Sequence, residues 1–411
     1  MQETSRYAVG IDIGTTVVRC VVGHIDATTG TPTVVGVGSV TNSGMRKGIV
    51  ANLAGPAQAI DEALGEAERM SGYQVDAAAL SINGAHILST KADGMIAVGT
   101  LDHEITQADL TRIEEVATLG KVPANREILE VVPHSYRLDG QDNIKDPLGM
   151  TGTRLEINAN VISALAPHLH NLEKSAEMAK VSPRLITPSI LGAARSVLNE
   201  HQKENGVAVI DIGGATTSIA VFEEGDLQYV SVIPFGGINI TNDLAIGLKT
   251  DPEIAEKVKI GHAVAAGRKN DERISLKHEK ETLHFDSSDI DEIVEARLDE
   301  IFEMVQKELK KAGRAGQLPS GIVLTGGTAK IKSISEYAKE RLGLAVKIGK
   351  ATGFGGVADH IEEPQFATAV GLMLLDGEGS APRQTNKRAD NKAALKKASG
   401  ILSSFLSRFK A

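Results

Sequence analysis

The sequence predicts an α/β protein built from two duplicated lobes, with an inserted α+β subdomain and a C-terminal amphipathic helix, and three observations carry that prediction. First, two segments nearly 200 residues apart repeat one pattern: Val9-Gly10-Ile11-Asp12-Ile13-Gly14-Thr15-Thr16-Val17-Val18 and Val209-Ile210-Asp211-Ile212-Gly213-Gly214-Ala215-Thr216-Thr217-Ser218. Each reads as a β-hairpin, an apolar strand ending in an acid, a glycine turn with hydroxyl residues, and a second strand, Val17 to Val22 or Ser218 to Phe222. Their positions at the starts of the two halves mark a duplication of whole domains. Second, strand and helix patterns alternate through both halves. Third, Gly321-Ile322-Val323-Leu324-Thr325-Gly326-Gly327-Thr328-Ala329 reads as a buried strand running into a double-glycine turn and a helix through Tyr337.

In chain order, the first hairpin is followed by an extended stretch, Thr33 to Val40, and the turn Gly44-Met45-Arg46-Lys47-Gly48-Ile49-Val50. From Pro56 to Met70, apolar residues at Ala59, Ile60, Ala63, Leu64, Ala67 and Met70 have helical spacing with one buried face. A strand, Ala77 to Ile82, closes this layer. Gly84 to Ser163 reads as an insertion with strands at Ile128 to Val132 and Asn158 to Ile162, a helix near Thr106 to Leu119, and turns at Asp139-Gly140 and Pro147 to Gly152. A helix at His168 to Lys180 leads to the strand Val207 to Ile212. The second half holds a helix at Pro252 to Ala266 and a longer one N-capped by Ser288 and ended by Gly313. Residues Asp376 to Asn391 lose periodicity and read as a tether.

Composition bounds the class. A chain of 411 residues with 42% hydrophobic content is globular and long enough for several domains. Aromatics are only 3%, so Val, Ile, Leu and Ala must fill the core. The net charge of -9 argues against general nucleic-acid binding. The single cysteine, Cys20, excludes an intrachain disulfide and reads as a buried, inert thiol in an apolar strand. Nothing resembles a signal peptide or a membrane span, so the body is expected in the cytosol.

The glycine turns suit phosphate: glycines let backbone N–H groups approach an anion, threonines add donors, and a strand-end aspartate holds hydrated Mg²⁺. Two such turns can clamp one nucleotide from opposite sides. The Gly326-Gly327 turn by itself fits an ordinary strand-to-helix connection as well as a nucleotide-facing loop, and its place after two phosphate hairpins favours the second. Glu256 and Lys259 share one helix face, as a solvated ion pair or as contacts to base or ribose. No Walker-type Gly-x-x-x-x-Gly-Lys-[Ser/Thr] occurs, and no Gly-x-Gly-x-x-Gly follows a strand.

The tail is the second sharp signal. Leu395, Ala398, Ile401, Leu402, Phe405, Leu406 and Phe409 fall within an arc of roughly 140° at the 3.6-residue period. Lys396, Lys397, Arg408 and Lys410 flank it, and from Asp376 onward eight Lys/Arg stand against three Asp/Glu. A docked terminal helix would need no tether, so an in-plane membrane helix on anionic lipid is favoured over docking or a partner's groove.

The order of these parts resembles the actin-like (ribonuclease H-like) ATPase superfamily. Within it the chain resembles the FtsA family of bacterial cell-division proteins over essentially its whole length, through Ser43-Gly44-Met45-Arg46-Lys47-Gly48, Val232-Ile233-Pro234-Phe235-Gly236-Gly237 with Thr241-Asn242-Asp243-Leu244-Ala245, and Gly321 to Ile331. The resemblance implies subdomain 1A at 1–83 and 164–195, an inserted 1C at 84–163, 2A at 196–239 and 296–375, 2B at 240–295, a tether at 376–394 and a membrane-targeting helix at 395–411. It implies ATP and Mg²⁺ as ligands: Asp12, Gly14, Thr15, Thr16, Asp211, Gly213, Gly214, Thr216 and Thr217 at the phosphates, with Asp12 and Asp211 reaching Mg²⁺ through water. Gly326, Gly327 and Thr328 would lie at the α-phosphate and adenosine, with Glu256 and Lys259 near the base. It further implies actin-like filaments, an FtsZ C-terminal tail docked on 2B, recruitment of later division proteins, and a place on the cytoplasmic face of the membrane at the division site. The pilus-assembly relatives share the inserted subdomain but lack the membrane helix. A small-molecule kinase would give that helix no role.

One departure bears on mechanism. Vigorous ATPases of the superfamily place an acid or amide near the connecting helix to orient water, whereas the corresponding stretch here is Ile186-Thr187-Pro188-Ser189. Tight Mg-ATP binding with slow hydrolysis is the expectation, and no catalytic residue is assigned.

Overall fold

The computed structural model describes residues 6–26, 30–99, 102–268, 270–278, 281–356 and 360–379. The amphipathic segment 395–411 and residues 380–394 of the tether lie outside the described residues.

In lobe one, β1 (Arg6–Ile13) and β2 (Val17–Ile25) form the expected hairpin, with Asp12 opposite Arg19, and β3 (Pro32–Thr41) extends it antiparallel. The short hairpin of β4 (Met45–Arg46) and β5 (Ile49–Val50) leads into α1 (Ala54–Ser71), whose Ile60, Ala63, Leu64 and Ala67 lie on the sheet. Gly38 of β3 makes that approach possible: a Cβ there would sit 1.9 Å from the Ala63 carbonyl oxygen. Strand β6 (Ala77–Ile82) then joins β1 in parallel. Cys20 is fully buried, and burial pushes its thiol far up, as expected of an inert residue.

The insertion is a separate antiparallel sheet of β7 (Leu88–Ala97), β8 (Arg126–Leu138), β9 (Gln141–Ile144) and β10 (Arg154–Leu165) in the order β7-β10-β8-β9, covered by α2 (Gln107–Thr118). Thr106 and Asp109 close a capping box on α2. The short apolar runs at 128–132 and 158–162 are parts of much longer strands: Ala159 and Val161 of β10 face the core under α2, while Asn160, Ile162 and Ala164 are buried on the opposite face, so half-polar ends extend each strand beyond its apolar run.

The chain returns to lobe one as α3 (Ala166–Met178) and β11 (Ser182–Pro188), which lies parallel to β6. Helix α4 (Ser189–Val197) and the short α5 (Glu200–Asn205) cross to lobe two. There β12 (Val207–Ile212), β13 (Thr217–Glu223) and β14 (Asp226–Ile233) repeat the three-strand unit. Next come α6 (Gly237–Gly247), α7 (Pro252–His262), the hairpin β15 (Arg273–His278) and β16 (Glu281–Asp286), and α8 (Ser287–Lys311). Strands β17 (Ile322–Thr325) and β18 (Val346–Ile348) flank α9 (Ile334–Leu342), and α10 (Ala367–Gly379) returns to lobe one.

The two sheets have the same strand order, β11-β6-β1-β2-β3 in lobe one and β18-β17-β12-β13-β14 in lobe two. In both, three antiparallel strands are followed by two parallel ones, which is the duplication the repeated hairpins announced.

Several boundaries differ from expectation. Helix α8 starts at Ser287, so Asp286 rather than Ser288 holds the N-cap position, without a side-chain hydrogen bond to the first turn; the Ser287 hydroxyl accepts the Glu272 N–H. Helix α7 stops at His262 instead of Ala266. After the double glycine a four-residue 3₁₀ turn, Gly327–Lys330, precedes α9, so the double glycine does not lead straight into a long helix. The tether does not start at Asp376: α10 continues to Gly379, and buried Asp376 accepts hydrogen bonds from the Val9 N–H at 2.8 Å and from Arg184 at 2.7 Å.

Helices α4 and α10 cross in backbone contact. A Cβ on Gly371 would lie 1.7 Å from the Gly192 carbonyl oxygen. Substitution there would have to push the helices apart.

Candidate functional site

Because each strand-end aspartate precedes a tight turn, the duplication aims two similar turns at each other, and a cleft of about 580 Å³ opens between them. That volume is in the range of small-molecule sites. Asp12, Gly14, Thr15 and Thr16 line one wall, and Asp211, Gly213, Gly214 and Thr216 line the other. The turns touch: a Cβ on Gly214 would meet the Thr16 Oγ1 at 2.5 Å.

Each turn is braced from behind. The Asn42 amide donates to the Gly14 carbonyl at 2.7 Å, and the Gly48 N–H donates to Thr15 Oγ1 at 2.9 Å. In lobe two the Gly237 N–H and the Thr328 hydroxyl both donate to the Gly213 carbonyl, at 2.9 and 3.0 Å. Gly326 has φ of 90° and packs flat on Asp211, where a Cβ would approach the carboxylate to 2.3 Å. Only glycine fits there on both counts.

Gly326, Gly327, Thr328, Glu256 and Lys259 all border the same cleft. Glu256 and Lys259 form an ion pair at 2.6 Å, and Lys259 also donates to Thr241 Oγ1 at 2.8 Å. The ion pair of the first reading is formed, and both of its residues border the cleft. Thr217 is the exception among the expected residues. As the first residue of β13 it points to the opposite face from Thr216, is fully buried, and donates to the Phe235 carbonyl at 2.9 Å. It is a structural support of the turn and does not border the cleft.

Among the cleft residues that escape the sequence reading are Arg19, Asn83 and Gln365. Arg19 lies opposite Asp12 in the hairpin register, and its charge acts on both Asp12 and Asp211. A lone cation inside Val17-Val18-Arg19-Cys20-Val21 was the available signal. Asn83, just past β6, and Gln365, just before α10, bring amides into the cleft from elements other than 186–189. From that stretch itself only Ser189 borders the cleft, and Thr187 is buried.

The electrostatics are those of a preorganised but strained carboxylate pair. Burial pushes Asp12 up, opposed by Arg19 and by the Ser81 hydroxyl, which donates to Asp12 at 2.9 Å. Asp211 is pushed up to about 7, first by burial and then by the charge of Asp12, with the Thr368 hydroxyl and Arg19 opposing. Arg19 is itself lowered by burial and remains a cation. Among the described residues no three His, Cys, Asp or Glu side chains converge as a metal cage. Two carboxylates bordering one cleft beside glycine turns would suit Mg²⁺, which keeps several waters and takes one or two carboxylates plus phosphate oxygens.

Two duplicated sheets around a cleft of facing glycine turns define an actin-like ATPase fold. Solved structures agree: one described as the PilM-PilN type IV pilus biogenesis complex superposes with a TM-score of 0.65 at 17% identity, covering 90% of this chain and 98% of that one. MreB5 of Spiroplasma citri bound to ADP gives 0.54 at 14% identity, covering 90% and 96%. Within that fold the chain belongs to the FtsA family of cell-division proteins. It is 35% identical to cell division protein FtsA of Pseudomonas aeruginosa (strain PAO1) over 376 residues, 90% of this chain and 89% of that protein. The family model for cell division protein FtsA matches residues 208–371, and that for the SHS2 domain inserted in FtsA matches residues 84–163.

Proposed function

We propose that this protein binds Mg-ATP in the interlobe cleft and works as a nucleotide-gated actin-like scaffold that polymerises on the cytoplasmic membrane at the division site, anchors FtsZ there, and recruits later division proteins. The observation that carries the reading is the pair of phosphate-type turns in contact across the cleft, since a ligand held by both must hold the lobes together. Thr15, Thr16, Thr216 and the turn N–H groups would donate to phosphate oxygens, with Arg19 as a buried cation whose charge acts on both aspartates. Bound Mg²⁺ would neutralise the crowded charge of Asp12 and Asp211 and the phosphates. Gly326, Gly327 and Thr328 would lie along the adenosine, and Glu256 and Lys259 would border the base or ribose. Slow hydrolysis is proposed on the ground that residues 186–189 contribute no acid or amide to orient water; the cleft's amides, Asn83 and Gln365, enter from other elements, and that of Asn83 is taken by Ser218 and Thr216.

Among the described residues no helix is long and apolar enough to cross a membrane. Membrane contact is assigned to Leu395, Ile401, Leu402, Phe405, Leu406 and Phe409 with the cationic flank of Lys396, Lys397, Arg408 and Lys410, on the strength of their helical spacing. The FtsZ C-terminal tail is assigned to subdomain 2B by family membership. Sedimentation with anionic liposomes in the presence of FtsZ tests anchor and partner together. Full-length protein should carry FtsZ into the pellet, and deletion of Lys392 to Ala411 should leave both in the supernatant. Unchanged pelleting of the truncated protein would refute the anchor.

A further inference from the structure

The Asn83 side chain makes three hydrogen bonds whose directions are all determined. Its Oδ1 accepts the Gly84 N–H at 2.8 Å and the Ser218 hydroxyl at 3.1 Å, while its Nδ2 donates to Thr216 Oγ1 at 3.1 Å. A backbone N–H can only donate, so the Gly84 contact fixes which end of the amide is oxygen. Nδ2 then occupies a lone pair of Thr216, and the Thr216 proton is left to point away from Asn83.

The placement of the amide is fixed from both lobes. Gly48, whose N–H is bonded to Thr15, packs so tightly on the Asn83–Gly84 peptide that a Cβ would lie 2.8 Å from the Gly84 nitrogen. The Asn83 carbonyl is engaged by His86 Nε2 at 3.1 Å. Ser218 stands opposite Asp211 in its hairpin, the position Arg19 has opposite Asp12, so the amide reaches the base of the second phosphate turn. Asn83 belongs to lobe one, and Thr216 and Ser218 belong to lobe two.

We propose that Asn83 is a positioning residue for the anionic ligand: through the chain Ser218 to Asn83 to Thr216 it sets the Thr216 hydroxyl as a donor to a phosphate oxygen, and ties lobe closure to phosphate occupancy. This rests on the reading that the cleft takes Mg-ATP. No bond is made or broken. The chemistry selected is an acceptor-only oxygen at Thr216, as a phosphate presents.

The test compares Asn83→Ala, Asn83→Asp, Thr216→Val and the Asn83→Asp/Thr216→Val double variant in the full chain, by equilibrium titration with Mg-ATP. Asp is nearly isosteric with Asn, so a residue that merely fills space would tolerate Asp better than Ala. A relay predicts the opposite, because an Asp oxygen demands the Thr216 proton and turns that hydroxyl into an acceptor. Asn83→Asp should weaken binding by about tenfold or more, and more than Asn83→Ala, the scale of a lost hydrogen bond to a charged group. A new negative charge would repel phosphate in any background, so the double variant separates the two causes: with Thr216→Val the Asp penalty should shrink several-fold. Thermal midpoints without nucleotide identify variants that fail to fold, and where Asn83→Ala is one of them the Asp and Val variants still complete the cycle. An undiminished Asp penalty on the Val background, or Asp binding as well as wild type, would overturn the relay. Wild-type protein that binds no Mg-ATP would overturn the reading of the cleft itself.

Discussion

Replacing Asp211 by Asn removes a charge that folding has to bury, so the variant should be more stable than the wild type while binding nucleotide less well. The folded pKa of Asp211 stands at about 7 against an ordinary 3.8, a difference of about 3 units. At about 1.36 kcal/mol per unit, burying the ionised form costs up to ~4 kcal/mol relative to a neutral group. The attraction of Arg19 is already contained in the folded pKa; the Asn oxygen can still accept from Thr368, but its amide protons lie against Gly326, so a gain of ~2–4 kcal/mol is expected. The direction with pH follows from the raised folded pKa. Asp211 is protonated in both states below about pH 4, and the cost develops as pH rises toward 7 and stays constant above it. Urea denaturation of nucleotide-free protein at pH 8 and pH 5 measures this. Asp211→Asn should have the higher midpoint at pH 8, with the gap narrowing at pH 5. An equal or lower midpoint at pH 8 would refute the view that this aspartate is held at the expense of stability for a ligand's sake.

The helix crossing gives a second prediction: Gly371→Ala must displace the Gly192 backbone by more than an ångström, so denaturation should show a loss of ~1–3 kcal/mol or more, and unchanged stability would mean that the helices are not packed in backbone contact. Lys259→Ala should weaken Mg-ATP binding several-fold by titration, since it leaves Glu256 without its cation on the cleft wall, held by the Thr241 hydroxyl alone; unchanged affinity would return the pair to a purely structural role. Asn160 donates to the Leu227 and Gln228 carbonyls at 2.9 and 2.7 Å, joining the inserted sheet to lobe two, and Asn160→Leu should raise hydrogen exchange along β14.

The parts of the fold legible in the sequence are those where local pattern and tertiary role coincide. The Asp-Ile-Gly turns announced themselves by repetition, and α1 by its apolar stripe, because both are written within a few dozen residues. Asp376 was misread because it ends an apolar run and begins a polar one, while the Val9 N–H and Arg184 that bury it are contributed by distant segments. Thr217 was assigned with Thr216 because the motif names both, although strand alternation sends adjacent side chains to opposite faces. Arg19 and Asn83 act through register and through a neighbouring strand end, neither of which a motif records. The cleft was thus visible in outline from its two repeated turns, and the groups that set its charge and hydrogen-bond direction became visible only once the strands were paired.

The central claim, that the two turns hold one nucleotide between the lobes, is tested most directly by isothermal titration of Mg-ATP into the full-length protein. One nucleotide should bind per chain, with affinity lost when Mg²⁺ is withheld. No saturable binding at millimolar Mg-ATP, or binding indifferent to the metal, would contradict it.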